Sequence, residues 1–312
     1  MSRKKAAAAA VQPEASAVST PSGIVLELKS LPNAKALLLK AAATATRKPT
    51  IQTVAPKLAV RINGVKFDEK WIGAYNTVCG FEGSDIGLTA PQVLASALHL
   101  YLMARDEVPF PMLGMVHLRN IIEATSDLVV GQEHDIVVSF GETRQTPLGL
   151  EFDVHTRFLR EGQVVWSGVM SILSRVKGIR LPGAKPAALV DIDPTVARYV
   201  KLDVPENQGR QYAKVSNDYN PIHIHARSAA LFGFPKAIAH GMWTAARLLA
   251  DVQREMGGVP AFYEVRFKQP VFLPSSNMVK FHVDGDSGQF QLLAAKDSRV
   301  LMEGVIRNRQ TA

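Results

Sequence analysis

Cysteine is almost absent: Cys79 stands alone in 312 residues. One thiol cannot form an internal disulfide, nor build a zinc or iron–sulfur site by itself. That usage fits a reducing compartment and a cytoplasmic protein. Cys79 lies in the apolar run Thr77-Val78-Cys79-Gly80-Phe81 and reads as a small buried hydrophobe rather than a nucleophile. The chain also lacks any charge-free apolar run of about 18 residues, so no stable membrane insertion is expected. The alanine tract after Arg3-Lys4-Lys5 is too short and weak for the core of a signal peptide. Alanine, serine and proline dominate through Gly23, which reads as a disordered tail. Acids are the scarcer charge, 28 against 36 Lys and Arg, for a net +8. Residues 1–60 hold nine of those cations and two acids, so the other 252 residues carry only +1. A basic tail attracts acidic partners or simply solubilises, and the body is not basic enough to suggest nucleic-acid binding.

What is present is a weak internal duplication. Residues 1–57 read as a basic, largely disordered segment, with a helix expected around Ala34–Ala43. Ala90–Ala104 has helical apolar spacing with Pro91 in its first turn, and Met242–Met256 repeats that spacing. Strand-like segments follow each helix: Gly114–Ile122, Asp135–Phe140, Leu150–Phe158 and Val164–Ser174, then Phe262–Phe272, Met278–Val283, Gln289–Ala294 and Val300–Asn308. The stretch 177–195, rich in Pro, Ala and Gly, reads as a linker between units 58–176 and 196–312. Periodicity alone therefore gives a duplicated α+β protein.

Polar residues concentrate in Ser216-Asn217-Asp218-Tyr219-Asn220-Pro221-Ile222-His223, followed downstream by Ala239-His240-Gly241-Met242. Pro221 between Asp218 and His223 places both on one turn, where the pair can hold a single water, one taking a proton while the other donates. An unperturbed imidazole titrates at about 6.5, close to working pH. Asn220 offers an amide to brace the loop. His225 reads as surface, and His99 and His117 as core or interface. Trp243, Leu248 and Leu249 read as core, with an acyl tunnel as the alternative. His223, His225 and Asp218 match no known metal-site spacing, so no metal is expected.

The two polar elements resemble the MaoC-like dehydratase and hydratase-2 family, as does Val265-Arg266-Phe267-Lys268-Gln269-Pro270. The segment Pro109-Phe110-Pro111-Met112-Leu113-Gly114-Met115-Val116-His117 is similar to the first half of its double members. The resemblance spans about residues 65–310. It implies a double hotdog, two units each with a long central helix wrapped by an antiparallel sheet. It also implies a non-catalytic first unit and catalysis by Asp218 and His223. Gly241 would offer its backbone N–H to the thioester oxygen, Ser216 and Asn220 would support the loop, and Pro221, His240 and Met242 would meet substrate. The implied activity is (R)-3-hydroxyacyl-thioester dehydration and enoyl-thioester hydration on coenzyme A or acyl carrier protein, without a cofactor, by a monomer or homodimer. An acyl-thioesterase and a non-catalytic acyl-thioester binder are the alternatives. The family usually has Gly where Asn217 stands, and Asn tolerates the positive φ such a position requires.

Overall fold

The computed structural model describes residues 23–176 and 187–310. In chain order the first half holds β1 (Ile24–Leu28), α1 (Ala34–Ala43), β2 (Leu58–Lys66), α2 (Glu69–Cys79), α3 (Ala90–Leu94), α4 (Ser96–Met103), β3 (Val116–Ala124), β4 (Glu133–Thr146), β5 (Gly149–Arg160) and β6 (Gln163–Arg175). The second holds β7 (Arg198–Val204), α5 (Gln208–Ser216), α6 (Pro221–Ile224), α7 (Ala226–Ala230), α8 (Gly241–Met256), β8 (Pro260–Phe267), β9 (Ser275–Asp284), β10 (Ser287–Ala294) and β11 (Val300–Asn308).

All the strands form one sheet, ordered β1-β2-β4-β5-β6-β3-β8-β11-β10-β9-β7. Apart from β1 the order is a mirror: β2-β4-β5-β6-β3 is repeated backwards as β8-β11-β10-β9-β7. The mirror line is the antiparallel pairing of β3 with β8, Arg119 opposite Arg266 through Glu123 opposite Phe262. Pairing there removes the two edges that separate units would expose. The architecture is the expected double hotdog.

Two like charges face each other at that seam, an arrangement that repels. Glu264 resolves it, its Oε1 lying 2.8 Å from Arg119 Nε and 3.3 Å from Arg266 Nη2. Each half buries its helices on one face of the sheet. α8 is continuous over 16 residues, with Leu248, Leu249 and Val252 buried. The first-half run Ala90–Ala104 is not a single helix. Ala95, at φ −76° and ψ −5°, stays in the right-handed helical region but departs from the ideal ψ, and the run divides there into α3 and α4. His99 on α4 is buried, and its Nε2 meets Thr156 Oγ1 of β5 at 2.7 Å. Cys79 is buried on α2, and desolvation pushes its thiol up to about 12, so it behaves as core. Phe262–Phe272 also divides, because β8 ends at Phe267 and Phe272 forms an isolated bridge to Ile238.

The reading of 1–57 as largely disordered needs correction from Ile24 onward; residues 1–22 lie outside those described. β1 adds a parallel strand to β2, and Leu26 and Leu28 pack against the core. Arg47 then ties the segment down: its guanidinium donates to the carbonyls of Met103 (2.9 Å), Phe110 (3.1 Å) and Arg105 (2.7 Å). These include carbonyls at the end of α4 that no later turn can satisfy. The linker's residues 177–186 lie outside the description, but 187–192 cross the outer face of the second half. There Leu189 N donates to the buried Glu303, which also meets Lys268 Nζ at 2.7 Å. Among the described residues no helix is long and apolar enough to cross a membrane.

Arg47→Ala should remove several charge-assisted hydrogen bonds at once. The expected loss is about 2 kcal/mol of unfolding free energy in urea titrations; an unchanged midpoint would show that the segment is not clamped.

Candidate active site

The site is built on the connection between α5 and α8. α5 stops at Asn217, whose φ of +56° is left-handed, the conformation expected for a residue standing in place of glycine. Ser216 supports the exit: its hydroxyl donates to Tyr212 O at 2.9 Å and accepts from Asp218 N at 3.2 Å. Asp218 Oδ1 in turn accepts from Asn220 N at 3.0 Å. Asn220 caps α6, with its Oδ1 facing Ile222 N at 3.4 Å, and exposed Pro221 takes the first helical position, where no N–H is needed. One turn of α6 then delivers His223.

Asp218, His223 and His240 each bring a ligating or proton-carrying atom into one cluster, all within 4.8 Å of one another. His223 Nδ1 lies 2.8 Å from Ile238 O. A carbonyl only accepts, so Nδ1 carries the hydrogen and Nε2 is the free acceptor. By the same logic His240 Nε2 donates to Asp218 O at 2.9 Å. The two imidazoles stack with centroids 3.8 Å apart. The cluster satisfies the distances of a metal-ligand set, and His240 Nε2 and His223 Nδ1 are engaged with backbone carbonyls, which leaves His223 Nε2 and His240 Nδ1 facing the cluster's interior chemistry.

Protonation follows from burial and neighbours. His240 is pushed down to about 3, by desolvation first and then by His223. Desolvation also lowers His223, against the pull of Asp218 and of the Ile238 carbonyl. For Asp218 desolvation works against ionisation, but His240, His223 and the Asn220 N–H outweigh it and hold the carboxyl below its usual range. At neutral pH the set is therefore one carboxylate and two neutral imidazoles. Asp218 is the open side, its side chain 42% exposed against 3% for His240.

His240 immediately precedes α8, so Gly241 and Met242 begin that helix beside the cluster. The N–H groups of a first turn have no partner inside the helix and carry positive potential. At Gly241 an added Cβ would come within 3.0 Å of the Phe267 ring. Met242 Sδ faces the buried Asn120 Nδ2 of β3 at 3.4 Å, so a strand of the first half reaches the start of α8. His117 lies tilted against Phe267, centroids 4.5 Å apart at 44°, and His225 caps α7 at the surface. Trp243, Leu248 and Leu249 are buried, and Trp243 Nε1 donates to Val78 O of α2 at 2.9 Å.

Two contributors were not singled out from the sequence. Trp71 on α2 donates its indole N–H to Val215 O at 2.8 Å, steadying the last turn of α5 from the other half. Nothing in the local sequence couples positions 144 residues apart. Gly209 is the second: a Cβ there would lie 1.9 Å from His223 O, so α5 and α6 approach only because the side chain is missing. A glycine in the first turn of an amphipathic helix was the available signal.

Gly209→Ala should force the turn bearing His223 aside and cost about 1–3 kcal/mol of stability in denaturant titrations. Gly73→Ala, where an added Cβ meets nothing within 4 Å, is the control and should not destabilise. Equal behaviour of the two variants would contradict the packing assigned to Gly209.

Residues 186–301 match the family described as MaoC like domain. The 3-hydroxyacyl-thioester dehydratase X of Mycobacterium tuberculosis is 31% identical over 254 residues, covering 80% of this chain and 89% of that protein. Its crystal structure superposes with a TM-score of 0.68, covering 80% of this chain and all of the other. A 3-hydroxybutyryl-CoA dehydratase of Methylorubrum extorquens is 27% identical over 106 residues, 33% of this chain and 68% of its own. Another Mycobacterium tuberculosis protein, described as having a double hotdog fold, aligns at 11% identity with a TM-score of 0.51, covering 83% of this chain and 97% of that one, a likeness of fold alone. With the duplicated sheet and the loop before α8 in place, these likenesses agree: the chain belongs to the MaoC-like dehydratase family and is a hydro-lyase on a double hotdog.

Proposed function

We propose that this protein interconverts (R)-3-hydroxyacyl and trans-2-enoyl thioesters, with Asp218 and His223 as its acid–base pair and coenzyme A or an acyl carrier protein holding the acyl group. The observation that carries the reading is the cluster itself: an ionised carboxylate and a neutral imidazole with a free Nε2, beside the first turn of α8. In hydration, His223 Nε2 takes one proton from the water as its oxygen bonds to C3. Asp218 holds the water's other O–H. The resulting imidazolium passes its proton to C2, which restores the neutral ring. The Gly241 N–H at the helix start receives the negative charge that gathers on the thioester oxygen between those steps. Dehydration runs the same transfers backwards. No metal or redox partner enters this balance.

The first hotdog is read as non-catalytic. The connection between its α2 and α3, residues 80–89, contains no histidine and is much shorter than residues 217–240 of the second unit. Its part is to complete the sheet and brace α5. The non-catalytic alternative for the whole chain required a misplaced Asp218–His223 pair, and the left-handed Asn217 argues against that.

Crotonyl-coenzyme A should lose its enoyl-thioester absorbance with the native protein, with or without a chelator, and release no free thiol. Asp218→Asn and His223→Ala should each slow the loss by about 10²–10⁴-fold. Thiol release would move the protein to the thioesterases, and unimpaired variants would remove the pair from the mechanism.

The pH profile of kcat/KM supplies a separate check. Hydration needs His223 neutral, and its pKa is lowered from 6.5. Activity should therefore hold as pH falls through 6.5 and decline only below it. An acid limb centred above 6.5 would contradict the protonation state assigned to the site.

A further inference from the structure

Residues 207–241, which build the site, contain four Lys or Arg and a single acid, Asp218. The cations Arg210, Lys214, Arg227 and Lys236 are all exposed, and none is ion-paired among the described residues. They stand on three elements that are tied around the catalytic turn. Lys214 is one helical turn before Asp218 on α5. Arg210 donates to Ile224 O at 3.1 Å, beside His223. Arg227 lies on α7, which Ser228 Oγ fastens to Pro221 O at 2.7 Å. Lys236 precedes Ile238, whose N–H donates to Ile222 O at 3.0 Å. In the same loop Leu231 is 84% exposed and Phe232 41% exposed. A large apolar pair presented to water beside unpaired charges of one sign is the pattern of an interaction surface, with an apolar contact and a charged surround.

We infer that this face, Leu231 and Phe232 surrounded by Arg210, Lys214, Arg227 and Lys236, docks an acidic carrier protein that presents its acyl-thioester arm to Asp218 and His223. The inference rests on the acyl-thioester reading and chooses between its two carriers. Coenzyme A brings a compact group of phosphates, which calls for converging cations. Here the cations are divided among separate elements and flank an apolar tip, which suits an extended acidic protein surface. Position also matters: the patch lies on α5, α7 and the loop before α8, the elements that carry Asp218 and His223.

The test compares crotonyl-coenzyme A with crotonyl-loaded bacterial acyl carrier protein, using native enzyme, Leu231→Glu and the double variant Arg227→Glu with Lys236→Glu. The variants should lose about tenfold or more in kcat/KM on the carrier-protein substrate, and remain within about twofold on crotonyl-coenzyme A, with unchanged melting temperatures. Raising NaCl should weaken the carrier-protein reaction selectively, because exposed charges are screened. Binding of the carrier protein, read by fluorescence anisotropy without turnover, should fall in the same variants. Equal losses on both substrates would assign the cations to the phosphates of coenzyme A and overturn the proposal, as would no loss on either. Cosedimentation with anionic lipid vesicles that disappears in Leu231→Glu, alongside unaltered carrier binding, would make the face a membrane contact instead. If neither substrate reacts but carrier binding follows the variants, the docking face stands and the hydratase reading fails.

Discussion

The pairing of β3 with β8 is the constraint on which the rest of the molecule depends. It turns two sheets into one and sets α2 of the first half against α5 and α8 of the second. From that placement follow the Trp71 bond to Val215, the Trp243 bond to Val78, and a ring series running from Trp71 through Tyr75 and Tyr212 to His240. The seam is also where charge is most awkward, with Arg119 opposite Arg266. Glu264 on β8 serves both cations, so the joint is held by a shared carboxylate as well as by backbone bonds. A partly buried carboxylate between two guanidiniums is strongly oriented, because leaving any member unpaired there is costly.

The site's chemistry depends on keeping charge scarce within it. Two stacked imidazoles 3.8 Å apart cannot both be cationic in a desolvated pocket. Burial settles this by holding His240 neutral, and its donated hydrogen bond fixes the Asp218 backbone instead of competing for the proton. In the proposed mechanism the single cation that forms during turnover is then His223, formed beside an ionised Asp218. The side chain of Asp218 is 42% exposed while that of His240 is 3% exposed. The His240 ring stacks on His223 while its Nε2 anchors the loop at Asp218 O, the geometry of a positioning residue in the proposed mechanism.

Much of this was legible in the sequence, and the gaps have physical causes. The candidate catalytic turn was readable because its features are local: Pro221 opening α6, Asn217 in left-handed geometry, Ser216 and Asn220 bonding within two to four residues. The duplication was readable from periodicity. The split at Ala95 was not, because Ala95 is an excellent helix former and the ψ at which the run divides has no local residue signal. The order of Ile24–Leu28 was hidden by the alanine-rich stretch before it and by the fact that a parallel edge strand draws its stability from β2. Gly209 and Trp71 were silent because their importance lies in what approaches them from elsewhere in the chain.

That last point bears on what the first hotdog, read as non-catalytic in the proposed function, contributes to the site. The second hotdog's reactive turn is braced from the first half as well as locally. The end of α5 is positioned by a bond from α2, the first turn of α8 meets Asn120 on β3, and the body of α8 is tied to Val78 through Trp243. Three contacts from one half thus converge on the two elements that flank the catalytic loop of the other. Each is a single bond worth about 1 kcal/mol, too little to matter for whether the chain folds. For reacting groups that must be held to a fraction of an ångström, the same bonds have large consequences, since misplacement by about 1 Å can cost 10²-fold in rate. The first half is in this sense part of the site's geometry, through its contacts to α5 and α8.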